Sequence, residues 1–199
     1  MSEANIIITP HALTWWNIKG KRQGHIDTPL SDIGHDMAAL LAQRLSTQPL
    51  QAVYSSDLRR AIDTAAPVAS SKGLDISTDN RLREGRWGDT DDPEGHPVLS
   101  WHSQSETREE VVGRMAEAMH EIAERHIGES ALVVSHGAAI AWFVRHVLGL
   151  HPEDKEVYRT TRAGINLFHY KSGSWKASIL NDNSHLSALN HPALNANSG

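Results

Sequence analysis

Ser130-Ala131-Leu132-Val133-Val134-Ser135-His136-Gly137 is the stretch whose reading decides the fold. Four apolar residues stand between serines with no alternation of polarity, as in a strand buried on both faces. His136-Gly137 then opens an apolar helix from about Ala138 to Leu148, with Gly149 as its stop. A doubly buried strand running straight into a helix is a unit of a parallel α/β sheet. Similar units precede it. Asn5–Thr9 reads as a strand ended by Pro10, and Ser31 caps a helix with Met37, Leu41 and Leu45 at helical spacing. Ala52–Ser55 is a strand, and Leu58–Lys72 a helix ended by Gly73. Asp75–Thr78 is a third strand, and Thr107-Arg108-Glu109-Glu110 has the form of a capping box opening a long helix that ends near Gly128. Ile165–Tyr170 and Trp175–Leu180 flank Ser172-Gly173-Ser174 as a hairpin. The expected fold class is α/β, a three-layer α/β/α sandwich around a mixed, mostly parallel sheet, with one domain over residues 1–186 and a mobile tail over 187–199.

Composition narrows the function. The chain has 199 residues, 19 Lys and Arg against 24 Asp and Glu, and a formal charge of −5, which gives no basic footprint for nucleic acid or an anionic membrane. It has no Cys, which excludes disulfides, thiolate catalysis and Cys-containing metal sites. Met1–Pro10 is too short and uncharged for a signal peptide, and no apolar run approaches the ~18–20 residues of a membrane span, so a soluble cytoplasmic protein is expected. The 13 His are scattered, without His-Glu-x-x-His or a cluster at ligand spacing, so neither metal nor cofactor is expected.

In open α/β sheets ligands bind beyond the carboxyl ends of the strands. Following each strand to its end gives His11 after the first, Ser55-Ser56 and then Arg60 after the second, Glu84 after the third and His136 after the fourth. Pro10–Pro29 reads as a long loop without periodicity, and such loops are often functional. Two imidazoles, a guanidinium and a carboxyl at successive strand ends mark a candidate site.

The residues around these positions resemble the histidine phosphatase superfamily, also called phosphoglycerate-mutase-like. Pro10-His11-Ala12-Leu13-Thr14-Trp15-Trp16-Asn17 stands where the family has Arg-His-Gly-Glu-Thr-x-Trp-Asn, and Gly24 to Gly34 follows its Gly-x-x-Asp-x-Pro-Leu-Ser/Thr-x-x-Gly. Tyr54 to Ala65 is a near-complete match to the second signature, Leu82 to Asp89 resembles the segment with the acid, and Val133 to Gly137 the late His-Gly. Asn181-Asp182-Asn183-Ser184-His185-Leu186 matches a segment near the C-terminus. The resemblance implies that His11 attacks phosphorus, that Glu84 protonates the leaving oxygen, and that Arg60, His136 as imidazolium and Asn17 hold the phosphoryl oxygens. Gln23, Gly24, Arg86 and Gly137 are further expected substrate-binding positions. The implied substrate is a phosphorylated small molecule or a phosphoprotein.

The departures matter as much. Pro10 replaces the family's first arginine, and removing one preorganised donor of this kind costs about 10²–10³ in rate. Lys19, Lys21, Arg22, Arg83 and Arg86 are candidates to replace the charge, with Arg86 preferred. Only 20 residues lie between Glu84 and Ser105, which implies a shortened lid and an open site, with Trp15, Trp16, Trp87 and Trp101 at its rim. Gly85 follows the acid where a mutase has Arg. A phosphomonoesterase is therefore expected and not a mutase. The alternatives are an impaired member that binds a phosphorylated ligand or protein partner, and altered acid–base chemistry on a substrate that is not a phosphate ester.

Overall fold

The structure is a computed structural model and describes residues 2–86, 105–150, 158 and 160–189. In chain order the elements are β1 (Ala4–Pro10), α1 (Trp15–Ile18), α2 (Asp32–Leu45), β2 (Ala52–Ser55), α3 (Arg59–Lys72), β3 (Ile76–Thr78), α4 (Arg108–Arg125), β4 (Ser130–Ser135), α5 (Gly137–Val147), β5 (Ile165–Lys171) and β6 (Ser174–Asp182). Single 3₁₀ turns follow β3 at Asn80–Leu82 and β6 at Ser184–Leu186. The six strands form one sheet in the order β3-β2-β4-β1-β5-β6. β1 to β4 are parallel, and β5 and β6 are added antiparallel.

The alternation of side chains along β1 and β4 divides the core in two. Ile6, Ile8, Ala131 and Val133 face α4 and α5, meeting Met115, Met119, Ile122, Ile140 and Phe143. Ile7, Leu132 and Val134 face α2 and α3, meeting Leu41, Leu45, Ala65 and Val68. This is the expected three-layer α/β/α sandwich with a mixed, mostly parallel sheet. The caps also fall where the sequence places them. Ser31 accepts from Gly34 N, Thr107 and Glu110 close a capping box, and Gly73 takes a left-handed backbone (φ 64°) to end α3.

Two details set up the site. The stretch expected as a loop from Pro10 contains α1, whose capping box pairs Thr14 with Asn17. Pro10 is tolerated in a central strand because it is the last residue of β1. His11 N turns toward β4, donating to Ser135 O (2.8 Å), so the missing N–H of Pro10 lies on the β5 side, where the register already ends at Ile8–Asn166. A third apolar cluster joins Leu13, Met37, Leu186 and the half-buried Leu189, so the described chain stays on the domain past residue 186. Residues 190–199, Trp87, Trp101 and most of the expected lid lie outside the described residues.

Gly34 has no room for a side chain, since a Cβ there would stand 2.0 Å from Leu13 O. Gly34→Ala is expected to destabilise the protein by about 3 kcal/mol in urea denaturation, through displacement of the segment that follows His11.

Candidate active site

His11 leaves the end of β1 with its backbone held on two sides, by Ser135 O and by Ala12 N donating to Thr64 Oγ1 (2.9 Å). Its Nδ1 lies 2.6 Å from Ala12 O. A carbonyl only accepts, so Nδ1 carries the proton and the Nε2 lone pair is an acceptor, facing Arg162 Nη1 at 3.4 Å. Burial, followed by the nearby charges of Arg162 and Arg60, holds the His11 pKa well below 6.5. The ring is a neutral base of fixed tautomer.

Arg60, in the first turn of α3, is fully buried. Its Nη1 and Nη2 donate to Ile26 O (2.8 Å) and Gly24 O (2.7 Å), while Nε is a buried donor with no partner among the described residues. Burial lowers its pKa to about 10, against the opposing pull of Glu84, so it remains a cation at neutral pH. His136 lies beside His11, ring centroids 5.2 Å apart, with Nε2 2.9 Å from Ser56 Oγ and Nδ1 without a partner among the described residues. Burial and the neighbouring Arg60 push its pKa well below 6.5. The expected imidazolium is therefore not the form that this site favours. Only an anion in the site would reverse the balance of charge around the ring.

Glu84 reaches the first turn of α5. His136 gives that helix no side-chain cap, and the Glu84 carboxylate supplies one, accepting from Ala138 N (3.2 Å), Ala139 N (3.0 Å) and its own neighbour Gly85 N (3.0 Å). Its backbone is fixed from α4. Arg114 donates to the carbonyls of Arg81 (2.8 Å), Arg83 (2.6 Å) and Glu84 (2.9 Å) while paired with Glu106 (2.7 Å), and His25 Nε2 also meets Glu84 O (2.8 Å).

These strand ends open on a cavity of about 430 Å³ lined by His11, Asn17, Lys21, Gln23, Arg60, Glu84 and Arg162, with Gly20, Arg22 and Gly24. The amide oxygens of Asn17 and Gln23, which line the cavity, are held by Thr14, through its N–H (3.1 Å) and its hydroxyl (2.9 Å), and these bonds leave both NH₂ groups as donors. His136 and Gly137 stand behind this lining. Arg86, the preferred substitute for the missing arginine, does not line the cavity; it is buried, with its backbone N–H on Glu106 (3.0 Å). Arg83 is paired with Asp57 (2.5 Å), and Trp16 is a buried anchor beneath Lys21 while Trp15 stays exposed.

Arg162 is the site residue missing from the sequence reading. It is half-buried in the turn before β5, 151 positions from His11, and its Nη1 is 3.4 Å from His11 Nε2. Burial lowers its pKa and Glu84 raises it. No motif marks it, and only the pairing of β5 beside β1 brings it into place. Among the described residues no group of three or more His, Asp or Glu is arranged to hold a metal ion, and no helix is long and apolar enough to cross a membrane.

The lowered pKa values carry a sign for stability. His11, His136, His25 and His185 are all pushed down by burial. Each binds protons less well folded than unfolded, so its contribution is complete above pH 6.5 and is lost as pH falls below it. Folding stability is expected to fall below pH 6.5 by about 1.4 kcal/mol per pH unit for each of the buried His11 and His136 while it stays neutral, by less for the partly exposed His25 and His185, and His136→Asn is expected to flatten the slope. Urea denaturation across pH 5 to 8 checks this, and an unchanged slope in the variant contradicts it.

Comparison with known proteins agrees with this geometry. The family described as "Histidine phosphatase superfamily (branch 1)" matches residues 6–183. The chain is 32% identical to phosphoglycerate mutase-like protein 4 of Arabidopsis thaliana, over 92% of this chain and 87% of that protein. It is 30% identical to a probable phosphoglycerate mutase of Yersinia enterocolitica, over 95% and 96% of the two chains. Among solved structures it is similar to YhfR of Bacillus stearothermophilus, with a TM-score of 0.83, 26% identity and coverage of 92% and 99%. It is also similar to a mycobacterial glucosyl-3-phosphoglycerate phosphatase in complex with VO3, with a TM-score of 0.76, 25% identity and coverage of 90% and 99%. By the match over residues 6–183 and by these relatives, the chain belongs to branch 1 of the histidine phosphatase superfamily.

Proposed function

We propose that the protein is a phosphoric monoester hydrolase that works through a phosphohistidine on His11. The observation that carries this reading is the unprotonated Nε2 of a neutral His11, which lines a cavity with the cation of Arg60 and the carboxyl of Glu84 and has Arg162 Nη1 beside it. In the first step Nε2 bonds to phosphorus as the bond to the ester oxygen breaks, and Glu84, entering the step in its protonated form, gives that oxygen a proton. In the second step a water oxygen attacks phosphorus, the N–P bond breaks, and Glu84 takes the proton from water. Arg60, Asn17 and Gln23 hold the phosphoryl oxygens, and the site needs no cofactor for either step.

The hydrolase reading is preferred to a mutase because Gly85 follows the acid and only 20 residues lie between Glu84 and Ser105. The names of relatives divide, with the Arabidopsis protein called phosphoglycerate mutase-like, the Yersinia one a probable phosphoglycerate mutase and the mycobacterial one a phosphatase. The substrate is a phosphorylated small molecule or a phosphoprotein.

Hydrolysis of p-nitrophenyl phosphate is expected from the wild type, with loss of at least about 10³-fold in His11→Ala and with label from the phosphate retained on the protein after a basic quench. Glu84→Gln is expected to lose about 10²–10⁴-fold on an alkyl phosphate and much less on the aryl ester, whose leaving group needs no proton. A folded wild type that hydrolyses no ester in a broad panel, and takes up no label, overturns the proposal.

A further inference from the structure

We infer that Arg162 supplies the phosphoryl clamp absent from position 10, approaching the same phosphoryl group from the turn before β5. The inference rests on the phosphate-handling reading above and adds a catalytic residue to it.

Three observations converge on Arg162. Its Nη1 is a donor 3.4 Å from His11 Nε2, the atom proposed to attack. A phosphorus bound to Nε2 would replace this contact and set its oxygens beside the same guanidinium, where charge-assisted hydrogen bonds can form. The guanidinium also lies over the first residue of α5, since a Cβ on Gly137 would meet Nη1 at 3.0 Å and Cζ at 3.7 Å. The absence of a side chain at Gly137 is what admits it. Finally, the turn is tied to the residue that has lost its own cation, because Ala163 N donates to Pro10 O (3.0 Å).

The turn itself is built to hold one shape. Ala163 is fully buried in a left-handed backbone (φ 55°), a conformation unfavourable for a residue with a Cβ. Gly164 N donates to Thr161 O (2.8 Å), and Thr161 N to Asn181 Oδ1 (2.6 Å). A Cβ on Gly164 would meet Asn181 Oδ1 at 2.7 Å and Thr161 O at 2.8 Å. Asn181 is held in turn by its own N–H on Asn166 Oδ1 (2.8 Å), whose Nδ2 donates to Ile8 O (3.0 Å) in β1. Arg162 is thus braced to the strand that ends in His11, as preorganised stabilisation of a developing charge requires.

The test compares wild type, Arg162→Ala, Arg162→Lys, Gly137→Ala and the double variant Pro10→Arg/Arg162→Ala, each with a melting curve. Two readouts are used, kcat/KM on p-nitrophenyl phosphate and the affinity for orthovanadate by calorimetry. Arg162→Ala is expected to melt like the wild type, to lose about 10²–10³-fold in kcat/KM and to bind vanadate more weakly. Arg162→Lys should recover part of the loss, as a point charge without the planar fork, and Gly137→Ala should fall between it and the wild type. Recovery of at least tenfold in the double variant supports the equivalence with position 10. A folded double variant no better than Arg162→Ala overturns that equivalence. Values for Arg162→Ala within about twofold of the wild type in both readouts overturn the inference itself. Should the wild type hydrolyse nothing, the proposed function has failed, yet vanadate binding still decides for Arg162: weaker binding in Arg162→Ala supports the clamp, and equal or undetectable binding in both overturns it.

Discussion

The buried guanidinium of Arg60 is the constraint on which the rest of the site depends. A cation out of contact with water must have its donors satisfied and its charge opposed. Two of its nitrogens are satisfied by the carbonyls of Gly24 and Ile26, which folds the loop after α1 down over the start of α3. In the same loop Asp27 caps α3 by accepting from Arg59 N (2.6 Å), where Leu58 offers no side-chain cap. Burial, together with the cations nearby, drives both imidazoles to their neutral forms, and for His11 this is the form that the proposed attack on phosphorus requires. With Arg162 close by, the cavity has an excess of positive charge that a phosphoryl dianion would neutralise.

Much of this was legible in the sequence. Short apolar runs that end at Pro10, Ser55 and Ser135 fix three strands, and the change from unbroken apolar runs to helical spacing fixes their order of alternation with helices. In a parallel sheet the strand ends lie on one edge, so the sequence alone places His11, Arg60 and His136 after these strands and Glu84 after β3 on the same side. Local signals were too short to reveal α1, a single turn made by one capping box.

The charge state of His136 and the position of Arg162 were not legible for another reason. Neither is a property of local sequence. The first is the sum of burial and the charges of Arg60, His11 and Arg162, which come from three separate parts of the chain. The second depends on β5 returning beside β1 in antiparallel register and on one turn bonded to Pro10 O. Arg86 stands two residues from Glu84 in sequence, but it is buried and is not among the residues that line the cavity.

Glu84 has two tasks that share one group. Its carboxylate completes the first turn of α5, and Gly137, the first residue of that helix, is also where the guanidinium of Arg162 rests. Any change in how Glu84 engages the amides of Ala138 and Ala139 therefore reaches the ledge beneath Arg162 without passing through a ligand. On the proposed reading, proton carrier, helix cap and cation support form one mechanical unit, in which the acid cannot be tuned independently of the inferred clamp.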